Sequence, residues 1–501
     1  MANDRGQFYN NFVWLLERVF RRYFREVAVT GVDHIPADGG GVLVSWHPNG
    51  MIDPGLILTY FPRTVIFGAR DGLFRVPGLG TIMKRMGAVP IYRGEDSGND
   101  DPAARRARNA ESLGALASAV ADGGFACLFP EGNSHDAPHL LALKTGAARF
   151  LRQAWHDTPA DRPRPVLLPV GLHYQHKQAW RSKVLVAFHP PITISEPPAA
   201  SDEDACRAWD AEVTASIERS LHDVVHATES WQIHHLLHRV RLMVRAERAH
   251  RAGAQLNNPD MAERTLGFER AWTAYNSRTA SHPAQVASLR ERVQAYVDGM
   301  RRMGLRDHEL DRAPSLVRRS IVVALALKGL LVFVVLPPFI VLGFVIHAVP
   351  AIVLWFASRT FAKRKKDISS IKLLLGVLLF PMTWLVVIVS AYYADQTLQG
   401  AYPFLPDHPV AAAIAVLFLA MGGLIVALRY AELAQDTAHS AWVRLVRTRR
   451  RSALAHLRVE RSEIYDDFMA LVGDLDLPGA VRPDGLVVRD ESRQGMPGWQ
   501  R

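Results

Sequence analysis

Residues 42–61 read VLVSWHPNGMIDPGLILTYF, and the order of their local signals decides the fold. VLVSW at 42–46 is a short apolar run rich in β-branched residues, which suits a buried strand. Pro48, Asn49, Gly50 and Pro54 are turn formers, and the pattern from 53 to 61 suits a helix. A strand ending at Trp46 delivers His47 to the sheet edge where open α/β folds place their ligand groups. A regular helix would turn six positions through about 600° and point His47 and Asp53 apart. The two side chains therefore meet only through a loop. If they meet, the carboxylate fixes the imidazole tautomer and the other ring nitrogen is free to take a proton from a hydroxyl. A lone His…Asp pair at this spacing is weak evidence, since most such pairs are unrelated surface residues.

The same alternation continues outward. Further apolar runs are TVIFGA at 64–69, VPIY at 89–92, FACLF at 125–129, VLLPVGL at 166–172 and VLVAF at 184–188, with helical patterns near 53–61, 77–86, 102–122 and 143–156. Strands alternating with helices predict an α/β domain over 26–200, a mixed or largely parallel sheet flanked by helices. Pro169 inside its strand predicts an edge or a bulge. A Pro-Pro linker at 197–198 leads into a helical module over 201–315, then a transmembrane region at 316–430 and a cytoplasmic helical tail at 431–501. Residues 1–25 predict an amphipathic helix with aromatics among arginines, suited to a lipid interface or to packing on its own domain.

Three more segments carry candidate chemistry. GAVPIYR at 87–93 ends a strand on Arg93. LFPEGNSHD at 128–136 runs from a strand through a tight turn containing Glu131, Gly132 and Ser134. A helix start with Lys144 follows, a plausible phosphate cradle of backbone amides and ammonium. VLLPVGL supplies the fourth block. In this order and spacing the four blocks resemble the glycerophospholipid acyltransferases of the PlsC-like superfamily, whose hallmark is a His-x4-Asp block. Here five residues separate His47 from Asp53. That spacing, with FPEG-x-SHD and LLxLKxGA, is similar to the glycerol-3-phosphate/dihydroxyacetone-phosphate acyltransferase branch known from fungi. His135, or the Asn133-Ser134 pair before it, stands where many relatives carry an arginine.

The resemblance implies catalysis by His47 and Asp53, with Arg93, Glu131, Gly132, Ser134 and Lys144 placing the acceptor. It implies acyl-CoA or acyl carrier protein as donor, and glycerol 3-phosphate or dihydroxyacetone phosphate as acceptor. Lysophosphatidate is the alternative acceptor. It implies no cofactor and no metal, because the thioester is already activated.

Composition bounds the remaining classes. The chain has 501 residues, 49% hydrophobic, with a net charge of +10. That excludes a disordered chain and leaves material for several units. Two cysteines exclude a disulfide framework. The sequence MANDRGQF gives no expectation of a cleaved signal peptide.

No Asp, Glu, Lys or Arg occurs in 329–358, 373–394 or 408–428. About 20 apolar residues span a bilayer as a helix, so the last two predict membrane spans. The first carries basic residues at both ends: Arg318 and Arg319 before it, Arg359 and Lys363 to Lys366 after it. That placement predicts a hairpin over 321–357 folded at Pro337-Pro338, with one tilted span as the alternative. Arg444 to Arg451 then puts the C-terminus, like the catalytic domain, on the cytoplasmic side. The basic surplus beside the spans suits anionic lipid as a partner and gives no call for nucleic acid. Ser134-His135-Asp136 is no hydrolase triad, because sequence neighbours do not stack as nucleophile, base and orienter. No phosphate-binding GK[ST] loop is present, and the Glu95–Asp101 acidic run matches no calcium loop.

Overall fold

The computed structural model describes residues 6–92, 102–254, 256, 259–311, 319–360, 367–401 and 408–489. Arg93, the Glu95–Asp101 run, Arg318, Lys363 to Lys366 and Asp407 lie outside them. The chain forms two compact units: Met1–Arg241 with Asn257–Ser277 and Leu475–Arg501, and Leu242–Leu256 with Arg278–Asp474.

The first unit opens with α1 (Gln7–Tyr23) and β1 (Glu26–Thr30), then β2 (Gly41–Ser45), α2 (Ile52–Tyr60), β3 (Val65–Arg70), α3 (Asp71–Phe74), α4 (Leu79–Arg85) and β4 (Val89–Ile91). It continues through α5 (Pro102–Ala121), β5 (Phe125–Leu128), α6 (Gly146–Asp157), β6 (Val166–Tyr174), β7 (Lys183–Phe188) and α7 (Glu203–Val225). The seven strands form one sheet in the order β1-β7-β6-β2-β5-β3-β4. All pairs are parallel except β6 with β7. This is the mixed α/β sheet expected from the alternation of runs. β1, with the sequence EVAVT, is the strand the apolar-run reading omits. β2 is buried along its whole length, which is why its run is apolar without alternation. Val42, Val44, Ala126 and Leu167 from the sheet pack against Leu116, Phe150, Leu151, Ile217 and Leu221 from α5, α6 and α7.

Pro169 corrects one expectation. It lies in β6, an interior strand, paired in register with Val44 of β2. Its missing N–H costs little because it sits on the β7 side, one step beyond the last β7 pair at Phe188. There the Pro169 carbonyl accepts from the His189 N–H at 3.0 Å. The N-terminal helix packs on its own domain through Tyr9, Phe20 and Tyr23, while Trp14 and Leu15 stay exposed.

On one face of the antiparallel β6–β7 pair, His173 stacks on His226 with ring centroids 5.3 Å apart. A Cβ on Gly171 would meet the Nε2 atoms of both His173 and His189. These three imidazoles and Glu269 line a cavity of about 310 Å³.

Four further helices are α8 (Trp231–Arg251), α9 (Met261–Ser281), α10 (Pro283–Met303) and α11 (Arg319–Leu330). They are followed by α12 (Leu336–Thr360), α13 (Asp367–Ala401), α14 (Pro409–Arg449) and α15 (Arg451–Val472). The chain ends in a small hairpin of β8 (Ala480–Val481) and β9 (Val487–Val488). In the second unit α12, α13 and α14 pack on one another. Trp384 donates through Nε1 to His347 Nε2 between them, at 3.0 Å. Ile368–Ala401 and Pro409–Arg449 are long and apolar enough to cross a membrane. Their apolar side chains face outward, Phe418 being 70% exposed. An apolar exterior is what a bilayer solvates and water does not.

The hairpin at Pro337-Pro338 is not formed. α11 continues through a π-turn at Leu331–Val335 directly into α12. Both prolines fall in the first turn of α12, directly after the π-turn.

The histidine cluster sets a pH dependence of stability. Burial, the main cause, pushes His173 down to about 4 and His189 to about 3, and lowers His226 well below the ordinary 6.5. Unfolding then takes up protons below pH 6.5, so the stability these groups lend is full above 6.5 and is lost as pH falls toward 4. Glu269 works the other way. Burial raises it to about 7, so its contribution is present below its ordinary 4.5 and lost as pH rises through 7. Three imidazoles outweigh one carboxyl. Urea unfolding should therefore show a lower midpoint at pH 5 than at pH 8, and His173→Gln should narrow that gap. An unchanged gap in the variant would refute the assignment.

Candidate active site

The segment after β2 builds the centre of the site. Trp46 anchors it, its indole N–H donating to the Leu172 carbonyl of β6 at 3.1 Å. The chain then turns through Gly50, at φ +54, into α2. Asp53 sits in the first turn of that helix, fully buried. The turn brings its Oδ2 back to His47, whose Nδ1 lies 2.8 Å away. The same Oδ2 accepts the Asn49 backbone N–H at 2.6 Å. The remaining oxygen, Oδ1, accepts the Tyr174 hydroxyl at 2.6 Å. Burial first, and the charge of Asp53 next, push the Tyr174 phenol well above its ordinary value, so its proton stays in place to be donated.

This set fixes the imidazole chemistry. With Asp53 accepting from two other donors, the hydrogen on the imidazole belongs on Nδ1, and Nε2 keeps its lone pair. Nε2 has no hydrogen-bond partner among the described residues, and the side chain is 15% exposed. Phe129, just past β5, stacks on the ring with centroids 4.1 Å apart at 15°. That contact holds the imidazole plane.

A second carboxylate braces the backbone. Glu131 is buried, and its Oε2 accepts the His47 backbone N–H at 3.2 Å. Its Oε1 accepts the Leu141 N–H at 2.9 Å and lies 2.7 Å from His135 Nε2. His135 Nδ1 in turn accepts from the Ala137 N–H, so its Nε2 carries the hydrogen it donates to Glu131. The His135 backbone N–H donates to the His47 carbonyl at 3.0 Å. Both oxygens of Glu131 are thus occupied by protein donors, and His135 serves as one of them. Ser134 precedes His135 in this same strap.

Gly132 follows Glu131 at φ +74, where an L side chain is strained. It also leaves room. A Cβ there would lie 2.9 Å from the Lys144 Nζ, so the ammonium rests on the bare glycine. Lys144 is tied to the turn by its backbone N–H on the Pro130 carbonyl at 2.9 Å, and α6 starts two residues later. Its ammonium makes no ion pair among the described residues.

His47, Asp53, Glu131, Gly132, Ser134 and Lys144 therefore gather at the carboxyl ends of β2 and β5. Arg93 lies outside the described residues. The sequence reading omitted Tyr174, Asn49 and Phe129. Tyr174 stands two residues past the fourth block, and nothing local signals a partner 121 positions away.

Residues 26–173 match the acyltransferase family, and 256–478 match the glycerol-3-phosphate acyltransferase 2 C-terminal domain. The chain is 32% identical over 97 residues to glycerol-3-phosphate O-acyltransferase 2 of Saccharomyces cerevisiae, covering 19% of this chain and 13% of that protein. It is 22% identical over 293 residues to glycerol-3-phosphate O-acyltransferase 1 of the same yeast, covering 55% and 37%. An uncharacterised acyltransferase of Schizosaccharomyces pombe is 22% identical over 267 residues, covering 37% and 39%. The matches thus span less than half the length of each of these relatives. A crystal structure of the 1-acyl-sn-glycerophosphate acyltransferase PlsC from Thermotoga maritima aligns with a TM-score of 0.29 and 22% identity, over 44% of this chain and 84% of that one.

The Gly132 turn yields a stability prediction. Gly132→Ala should cost about 1–2 kcal/mol in denaturant unfolding, the strain of one left-handed residue. Lys144 presents only the far end of a flexible side chain and can swing aside. Adding Lys144→Ala should therefore recover little. Full recovery in the double variant would mean that crowding, not backbone strain, sets the cost.

Proposed function

We propose, on the premise that residues 26–173 belong to the acyltransferase family and 256–478 to the glycerol-3-phosphate acyltransferase 2 C-terminal family, that the chain is a membrane-bound glycerolipid O-acyltransferase. The acyl group passes from acyl-CoA or acyl carrier protein to glycerol 3-phosphate or dihydroxyacetone phosphate. The observation that carries this reading is the 2.8 Å contact between His47 Nδ1 and a fully buried Asp53, which leaves Nε2 as the free base. The yeast relatives named as glycerol-3-phosphate O-acyltransferases favour the small acceptor over lysophosphatidate.

The chemistry follows from that nitrogen. Nε2 removes the proton from the acceptor hydroxyl as its oxygen attacks the thioester carbonyl. The tetrahedral adduct collapses to an ester and expels the thiolate, and the imidazolium returns the proton to sulfur. Asp53 stabilises the transient imidazolium, so no charge builds without a partner. Lys144 over Gly132 and the amides at the start of α6 hold the acceptor phosphate together with Ser134, and the family resemblance assigns Arg93 to the same phosphate. Glu131 acts by keeping the His47 backbone in place.

Membrane association suits amphiphilic substrates and products. The outward apolar faces of α13 and α14 support it. In the proposed topology α13 crosses outward and α14 returns, leaving the catalytic domain and the C-terminus in the cytoplasm.

Two measurements test these readings. Purified protein with radiolabelled palmitoyl-CoA should label glycerol 3-phosphate or dihydroxyacetone phosphate, and His47→Ala should lower the rate by about 10²–10⁴. Label on lysophosphatidate alone would reassign the acceptor, and full turnover by His47→Ala would end the general-base role. In sealed cells or oriented vesicles, Gly400→Cys should react with an impermeant thiol reagent from outside. Protection there, with reaction only after lysis, would invert the topology.

A further inference from the structure

The geometry points to Tyr174 as a positioning residue for acyl transfer, one that holds the Asp53 carboxylate in the orientation His47 needs; this rests on the proposed function. Tyr174 is the last residue of β6, in register with Val184 of β7. Its hydroxyl donates to Asp53 Oδ1 at 2.6 Å, on the oxygen that His47 does not use. The Asn49 N–H and the imidazole share Oδ2. Without the phenol, Oδ1 would be a buried acceptor with no donor among the described residues, and rotation about the Cβ–Cγ bond would be its way to find one. Rotation would pull Oδ2 away from Nδ1.

The phenol is itself rigidly mounted. Its ring lies against Phe24, centroids 6.2 Å apart. Two residues earlier on the same strand, the Leu172 carbonyl accepts the indole N–H of Trp46, the residue before His47. β6 therefore grips the catalytic segment twice, once at the backbone before the base and once at the carboxylate behind it. The strand is central and buried, so it transmits no slack. Tyr174 makes its bond to Asp53 rather than to Nε2, so its influence falls on the transition state through the imidazolium, not on substrate binding.

The sign of the pH effect follows. A carboxylate stripped of one donor binds a proton, or an adjacent imidazolium, more strongly. Since the reaction needs an unprotonated Nε2, the acidic limb of the rate profile should move to higher pH.

The test uses the full-length protein. Tyr174→Phe keeps the ring and removes only the hydroxyl. We expect kcat to fall about 10-fold, the size of one charge-assisted hydrogen bond, with KM for donor and acceptor nearly unchanged and the acidic limb shifted upward. In an Asp53→Asn background the same change should add little. A graded series, fluorinated tyrosines incorporated at position 174, preserves shape and folding while strengthening the donor, and should move the limb downward step by step. A flat series with unchanged kcat in Tyr174→Phe would overturn the inference, as would an undiminished loss in the Asp53→Asn background. Should the wild-type protein label no acceptor from palmitoyl-CoA, the proposed function itself fails; an active wild type with a dead His47→Ala beside a flat Tyr174 series removes this inference alone.

Discussion

Asp53 holds its carboxylate where no water reaches, and three donors from three places in the chain converge on it: the His47 ring, the Asn49 backbone and the Tyr174 hydroxyl. A buried charge without partners is costly, and a hydrogen bond to a charged group contributes about 1.5–3 kcal/mol net. That need dictates the path of residues 46–53. The loop must bend back on itself so that a side chain in the first turn of α2 reaches a residue six positions earlier. Gly50 in the left-handed region makes the bend, and Trp46 pins its entrance to β6.

A second carboxylate repeats the logic on the backbone rather than on the ring. Glu131 gathers the His47 N–H, the Leu141 N–H and the His135 imidazole. In doing so it ties the turn after β5 to the base. Two buried acids therefore divide the work, one setting the proton on the imidazole and the other setting where the imidazole stands. The Lys144 ammonium, seated on Gly132, adds a cation to the turn that Glu131 holds. Under the proposed function, an anionic acceptor held at Lys144 and oriented toward Nε2 would turn an encounter into an oriented reaction.

Much of this was legible in the residues, for a physical reason. Strands buried on both faces are written as continuous apolar runs, so β2, β5, β6 and β7 announce themselves, and the turn formers of 48–54 announce the loop. β1, EVAVT, is half-buried and begins on a glutamate, so its run is too short to stand out. Pro169 misleads because a proline in an interior strand is tolerated where the neighbouring ladder has just ended, and that depends on pairing across the sheet. Pro337-Pro338 misleads likewise: the helix runs on through a π-turn just before them, and residue charge alone does not reveal it. Tyr174 is invisible locally because its meaning lies in a partner 121 positions away. Composition announced the apolar helices most plainly, since their outward faces carry valine, leucine and phenylalanine where a water-soluble bundle would carry charge.

The account rests on one proton being on one nitrogen. Nitrogen-15 NMR of the protein labelled at histidine, with the His47 signals identified by their loss in His47→Gln, reads that directly. In the neutral ring the account predicts a protonated, hydrogen-bonded Nδ1 and a bare Nε2. A neutral ring with its hydrogen on Nε2 would contradict it, because such a ring has no lone pair to offer a hydroxyl.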